Sequence, residues 1–176
     1  MNLYLIGYRG CGKSTVGKLV AANLDWPFID TDQEIETLTG QTICNIFEED
    51  GESVFREWES TVIEAVATRT QTIISLGGGS ILADINRNTI KSNGWTVWLD
   101  APAEVLYERI QQDEQSPATR PPLTELDELA EVKQGVAKRR NLYEACADYT
   151  VAVAELSPNQ VADRIVNQWH SVDKDC

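Results

Sequence analysis

Residues 7–15 read Gly-Tyr-Arg-Gly-Cys-Gly-Lys-Ser-Thr and contain the pattern G-x-x-x-x-G-K-[ST]. Glycines at this spacing let successive backbone N–H groups turn inward around phosphate oxygens. A helix that starts near Lys13 adds the positive end of its dipole. The Lys13 ammonium then reaches the β- and γ-phosphates of a nucleotide, and the Ser14 hydroxyl becomes a ligand for Mg²⁺. Cys11 occupies a variable position and reads as a small filler rather than a nucleophile. The pattern specifies a nucleoside triphosphate but no reaction, since GTPases and motors use it too. Those proteins usually need an aspartate at the end of a later strand, whereas here the third strand runs into Gly77-Gly78-Gly79. The short chain favours a compact small-molecule kinase.

Three further groups bear on chemistry. Asp30 and Asp32 alternate around Thr31 at the end of a short apolar run, so they can serve different ligands; the competing role is to cap the next helix. Arg56 stands beside Phe55 and Trp58, both read as buried, in an acidic stretch. A planar bidentate guanidinium suits a carboxylate ligand. A salt bridge to Glu59 is the competing role, and the two are compatible if Glu59 holds Arg56 in aim. Gly78 and Gly79 let backbone N–H groups approach a substrate, or simply make a tight turn. Arg120 lies in a polar, proline-bearing stretch over 111–124 that reads as a mobile loop. An arginine delivered by a closing lid can stabilise a transferring phosphoryl group and exclude water.

Positioning these groups calls for strands that end at each of them. Apolar runs over 2–6, 26–29, 72–76, 96–99 and 149–154 predict five strands. Helical periodicity predicts helices over 13–24, 33–38, 42–49, 53–68, 84–93, 103–110 and 127–147. Gly94 reads as the C′ glycine that stops the 84–93 helix. Ser157-Pro158-Asn159-Gln160 is a capping box with proline at N1, opening a helix that turns Val161, Ile165 and Trp169 inward. Strands alternating with helices predict a three-layer α/β/α fold with a parallel sheet. Ligands of such sheets bind at the carboxyl ends of the strands. The phosphate loop, Asp-Thr-Asp and Gly-Gly-Gly all follow strands and so should converge on one edge.

The chain has 176 residues, which predicts one domain, and 42% hydrophobic residues, enough for a core. With 15 basic against 28 acidic side chains the net charge is −13, a field that repels nucleic acid and anionic membranes. Anion binding then requires a local cationic niche, which draws attention to Arg9, Lys13, Arg56, Arg120 and Arg139. No apolar run spans a bilayer and no leader is recognisable, so a cytoplasmic protein is expected. The four cysteines form no CxxC pair and read as free thiols. His170 reads as a surface residue, and the five tryptophans as packing residues. Lacking an evident exposed apolar patch, the chain is expected to be a monomer.

Taken together, residues 7–15, Phe28-Ile29-Asp30-Thr31-Asp32, Phe55-Arg56, Gly77-Gly78-Gly79, Thr119-Arg120-Pro121 and Arg139 with Tyr143 resemble shikimate kinase, in the family's order and over nearly the whole chain. The resemblance implies ATP- and Mg²⁺-dependent phosphorylation of the 3-hydroxyl of shikimate, in the pathway to aromatic amino acids. It implies a P-loop kinase fold over 1–176, with a lid near 111–125 and acceptor-binding helices near 33–60. On this likeness Gly10, Cys11, Gly12, Lys13, Ser14, Thr15, Arg109 and Arg120 hold the nucleotide. Ser14 and Asp30 face the metal, and Asp32, Arg56, Gly77, Gly78, Gly79 and Arg139 hold the acceptor. Lys13, Asp32 and Arg120 are the catalytic set, Asp32 as base or orienter. Lys138 and Arg140 are rivals to Arg139 as the second carboxylate clamp. Asn141 stands where the family often has proline. The alternatives are a related kinase for another hydroxy acid such as gluconate, and a non-catalytic nucleotide-binding domain.

Overall fold

The computed structural model describes residues 1–112 and 128–172. Five strands, β1 (Asn2–Ile6), β2 (Phe28–Asp30), β3 (Ile73–Ser75), β4 (Gly94–Asp100) and β5 (Tyr149–Ala152), form one sheet in the order β2-β3-β1-β4-β5. Every pairing is parallel. The helices are α1 (Lys13–Leu24), α2 (Thr31–Thr39), α3 (Ile43–Asn45), α4 (Glu52–Ala67), α5 (Asp84–Asn93), α6 (Ala103–Gln112), α7 (Glu128–Cys146) and α8 (Pro158–Val172).

Two apolar clusters explain why the helices divide between the faces. Side chains alternate along a strand, so Leu3 and Leu5 of β1 point into one cluster and Tyr4 and Ile6 into the other. The first cluster takes Val16 and Val20 of α1 with Val161, Ile165 and Trp169 of α8. The second takes Ile35 of α2, Phe55 and Ile63 of α4, Ile90 of α5 and Tyr143 of α7. Four of the five tryptophans pack as expected: Trp26 and Trp95 flank Trp169, and Trp98 stacks on Tyr143. Trp58 does not; it is 36% exposed, on the solvent side of α4, while Phe55 beside it is fully buried.

Two details differ from expectation for physical reasons. Gly94 follows the last residue of α5, as expected, but without the left-handed backbone of a C′ glycine. Its backbone is extended (φ −172°) and opens β4. A Cβ there would stand 2.5 Å from the Asn2 carbonyl and from the Tyr4 ring, so the requirement is space beside β1 rather than left-handed backbone. The expected helix over 42–49 is instead one turn of α3 continued by a π-helical turn, Ile46–Asp50. It closes when the Gly51 amide, at φ 87°, donates to the Ile46 carbonyl. The capping box is present: Gln160 Oε1 accepts from the Ser157 amide, and Ser157 Oγ accepts from the Gln160 amide. α7 runs unbroken through Asn141.

With β2 and β3 on one side of β1 and β4 and β5 on the other, the chain turns in opposite directions away from β1. The crevice at its carboxyl end is where this topology places ligands.

Candidate active site

That crevice is a cleft of about 720 Å³, lined by the phosphate loop from Arg9 to Thr15, Asp30, Asp32, Gly78 and Arg109, among others. Its base is the N-terminus of α1. Gly10 (φ 81°) and Gly12 (φ 92°) adopt left-handed backbone, which turns the loop back on itself. Gly12 caps α1 without any side-chain hydrogen bond, and the first turn holds no acidic residue. The first-turn amides and the dipole are thus left to an anion. Lys13 folds over the loop, donating to the carbonyls of Gly7 (2.9 Å) and Tyr8 (3.2 Å). Cys11 is buried beneath it with Sγ 3.7 Å from the ammonium, a filler as expected.

Asp30 takes the capping role weighed for it and also binds the phosphate loop. Its Oδ1 accepts from the Asp32 amide (3.1 Å), capping α2, and its Oδ2 accepts from Ser14 Oγ (2.6 Å). One carboxylate thereby ties the end of β2 to the phosphate loop. Thr31, which sequence reasoning treated as a spacer, is fully buried and binds β3 to the start of α2. Its Oγ1 donates to the Ser75 carbonyl (3.3 Å) and accepts from the Gly77 amide (3.1 Å). This sets Asp32 against Gly77 so closely that a Cβ there would lie 2.5 Å from Asp32 Oδ1.

Arg56 lies on the far side of the glycine run. Its guanidinium donates to Glu59 (2.8 Å) and Glu52 (3.0 Å) and packs on Gly79, where a Cβ would stand 2.5 Å from Nη1. Glu59 is fully buried and also accepts from Ser80 Oγ (2.8 Å). The salt bridge to Glu59 weighed for Arg56 is therefore present. Burial opposes the charge on Arg56, but Glu59 and then Glu52 outweigh it, so its pKa is raised.

The three rivals on α7 separate cleanly. Arg139 turns to the site: Nη1 donates to the Gly78 carbonyl (3.3 Å), and its guanidinium lies 5.1 Å above the Tyr8 ring. Arg140 pairs with Asp100 (3.0 Å) and covers Trp98. Lys138 is exposed. Buried Tyr143 donates to the same Gly78 carbonyl (2.6 Å), and burial holds its phenol well above the usual tyrosine range. Of the residues expected to hold the acceptor, Asp32 and Gly78 line the cleft and Arg56, Arg139, Gly77 and Gly79 do not; Arg139 reaches Gly78 through its carbonyl, and Arg56 packs on Gly79.

At the opposite end Arg109 donates to the Val153 carbonyl (2.9 Å), beside an apolar wall of Ile110, Leu156 and Pro158. Arg9 pairs with Glu131 at 3.9 Å. Arg120 and most of the expected lid lie outside the described residues.

The arrangement is a phosphate cradle beside a glycine run that is backed by Arg56, held by Glu59 and Glu52, and by Arg139, which donates to the Gly78 carbonyl. The shikimate kinase family model matches residues 9–170. The chain belongs to the shikimate kinase family. It is 41% identical to a shikimate kinase of Rhodopirellula baltica over 94% of this chain and 88% of that one. It is 40% identical to one of Persephonella marina over 95% and 98%. Among solved structures it resembles the shikimate kinase from Acinetobacter baumannii in complex with shikimate, with a TM-score of 0.88 and 33% identity, covering 97% of this chain and 93% of that one. A deoxyadenosine kinase from M. mycoides, 14% identical at a TM-score of 0.66, shares the fold alone. As a member of this family the chain is an ATP-dependent phosphotransferase with an alcohol acceptor, shikimate. The likenesses lend no support to gluconate as acceptor or to a non-catalytic role. No helix among the described residues is long and apolar enough to cross a membrane.

Proposed function

We propose that the cleft transfers the γ-phosphate of ATP to the 3-hydroxyl of shikimate, with the roles divided as follows. The amides of Gly10 and Gly12, the α1 N-terminus, Lys13, Ser14 and Thr15 hold the phosphates, with Cys11 filling the turn. Arg109 and the apolar wall beside it take the base. Asp32 orients the acceptor hydroxyl and receives its proton as the new O–P bond forms and the bond to the departing ADP oxygen breaks. Arg56 and Arg139 pair with the shikimate carboxylate across Gly77, Gly78 and Gly79. Arg120 meets the transferring phosphoryl group. Phosphoryl transfer is mostly positioning and charge neutralisation, so Lys13 and the arginines carry more of the catalysis than any strong base.

Mg²⁺ fits the residues present. The hydroxyl of Ser14 and the carboxylate of Asp30 meet at 2.6 Å, a hard-oxygen pair of the kind that holds this ion alongside phosphate oxygens and water. No cluster of three or more His, Cys, Asp or Glu able to hold a metal occurs among the described residues, which accords with so sparse a protein ligand set. When bound, the ion neutralises phosphate charge.

The observation that carries this reading is the convergence of Ser14–Asp30, Asp32–Gly77 and Gly79–Arg56 at the carboxyl ends of adjacent strands β1, β2 and β3. Residues 1–176 are read as one catalytic unit, monomeric and cytoplasmic. Among the described residues Cys11, Cys44 and Cys146 are free thiols, which supports a reducing compartment. Coupled ADP release measured with shikimate, gluconate and AMP tests the function. Turnover with shikimate alone is expected; turnover with gluconate alone, or with none of the three, overturns it.

A further inference from the structure

α7 touches the site along a single stripe. Glu131, Gly135, Arg139 and Tyr143 recur every four residues and so stand above one another on the helix face. Each makes a contact with one of the two loops that hold ligands. Glu131 pairs with Arg9 of the phosphate loop. Gly135 lies against Tyr8 of the same loop, so close that a Cβ would stand 2.5 Å from the phenol oxygen and 2.9 Å from Cε2. Arg139 lies 5.1 Å over the face of the Tyr8 ring and donates to Gly78 of the glycine run, as does Tyr143. The Tyr8 ring is only 6% exposed. Tyr8 occupies a variable position of the phosphate motif, where nothing in nucleotide binding requires an aromatic residue.

We propose that Tyr8 is a positioning residue for the acceptor clamp. Its ring face and the Gly78 carbonyl together fix the Arg139 guanidinium, and Gly135 is the gap that lets the ring lie flat under it. An arginine side chain otherwise carries substantial rotamer freedom, lost at a cost on each binding event. A cation held over a water-excluded aromatic face is already ordered. The phosphate loop thereby sets the geometry with which the neighbouring anion is received. The proposal rests on the reading of Arg139 as a carboxylate clamp.

Tyr8→Met keeps most of the volume and removes the π face, while Tyr8→Phe keeps the ring. Gly135→Ala displaces the ring from a helix outside the phosphate loop, so it tests the idea even if Tyr8→Met folds poorly. Steady-state kinetics with shikimate and ATP varied separately should give a shikimate KM raised about 3- to 30-fold in Tyr8→Met and Gly135→Ala. The ATP KM should stay within about twofold, Tyr8→Phe should restore the shikimate KM, and Gly135→Ala should add little to Tyr8→Met. An unchanged shikimate KM in Gly135→Ala and Tyr8→Met, an equal rise in the ATP KM, or failure of Tyr8→Phe to restore binding overturns the proposal. Arg139→Ala, measured alongside, separates the two failures. If it raises the shikimate KM and the Tyr8 and Gly135 variants do not, the clamp stands and the positioning role falls. If it leaves that KM unchanged, the clamp itself falls and takes the positioning role with it.

Discussion

Replacing Gly79 by alanine isolates the aim of Arg56 from every other property of the site. Gly79 has φ −101° and ψ −6°, a conformation that alanine adopts without strain. The effect is therefore steric. The added Cβ would lie 2.5 Å from Nη1, 2.7 Å from Nη2 and 2.9 Å from the guanidinium carbon of Arg56. Restoring ordinary contact near 3.5 Å requires a retreat of about 1 Å. Arg56 is long and flexible, but it is not at liberty to retreat, because Glu59 grips it at 2.8 Å from a fully buried position and is itself held by Ser80. The movement weakens a charge-assisted hydrogen bond worth about 1.5–3 kcal/mol and misplaces the donor by a distance that can cost about 100-fold. We expect the shikimate KM to rise about 10- to 100-fold in a coupled ADP-release assay, with the ATP KM within about twofold and the thermal midpoint little changed. A folded Gly79→Ala enzyme with the parent shikimate KM would refute the claim that Arg56 receives the acceptor across this glycine. An equal rise in both KM values would instead assign the glycine run to the nucleotide.

The other expectations concern separate parts of the site. Asp32→Asn should retain ATP binding, measured by calorimetry, while phosphoryl transfer collapses; parallel loss of both would move Asp32 out of the acceptor side. Lys13→Ala should reduce kcat by about 100-fold or more, as expected for removal of a preorganised charge, and a near-normal rate would mean that its hold on the Gly7 and Tyr8 carbonyls is structural only. Arg140→Ala should leave the shikimate KM within about twofold, because that side chain is committed to Asp100; a large rise would restore it as a clamp. The pH dependence of stability follows from Tyr143. Its folded pKa is raised by burial above the usual 10.0, so its contribution is fully present below pH 10.0 and is lost as the unfolded chain gains phenolate above that value. Tyr143→Phe should therefore flatten the alkaline fall in thermal midpoint above about pH 10, and an identical slope in the variant would show that the phenol titrates alike in both states.

Much of this was legible in the chain because it depends on local rules. A G-x-x-x-x-G-K-[ST] run between an apolar strand and an amphipathic helix dictates a phosphate cradle through backbone geometry alone. Ser157 and Gln160 dictate a helix start in the same way, and five apolar runs between helices dictate a parallel sheet. What no local rule contains is contact between residues far apart in sequence. Why position 94 needs a glycine, whether Trp58 faces the core, and which of three adjacent cations on α7 turns to the glycine run are all settled by what packs opposite them. Thr31 reads as a spacer until β3 arrives beside it, and Tyr8 as a variable residue until Gly135, far along the chain, settles against its ring. Side-chain type and spacing fix the chemistry available at a position, but tertiary packing alone decides which donor and acceptor are brought within hydrogen-bond distance.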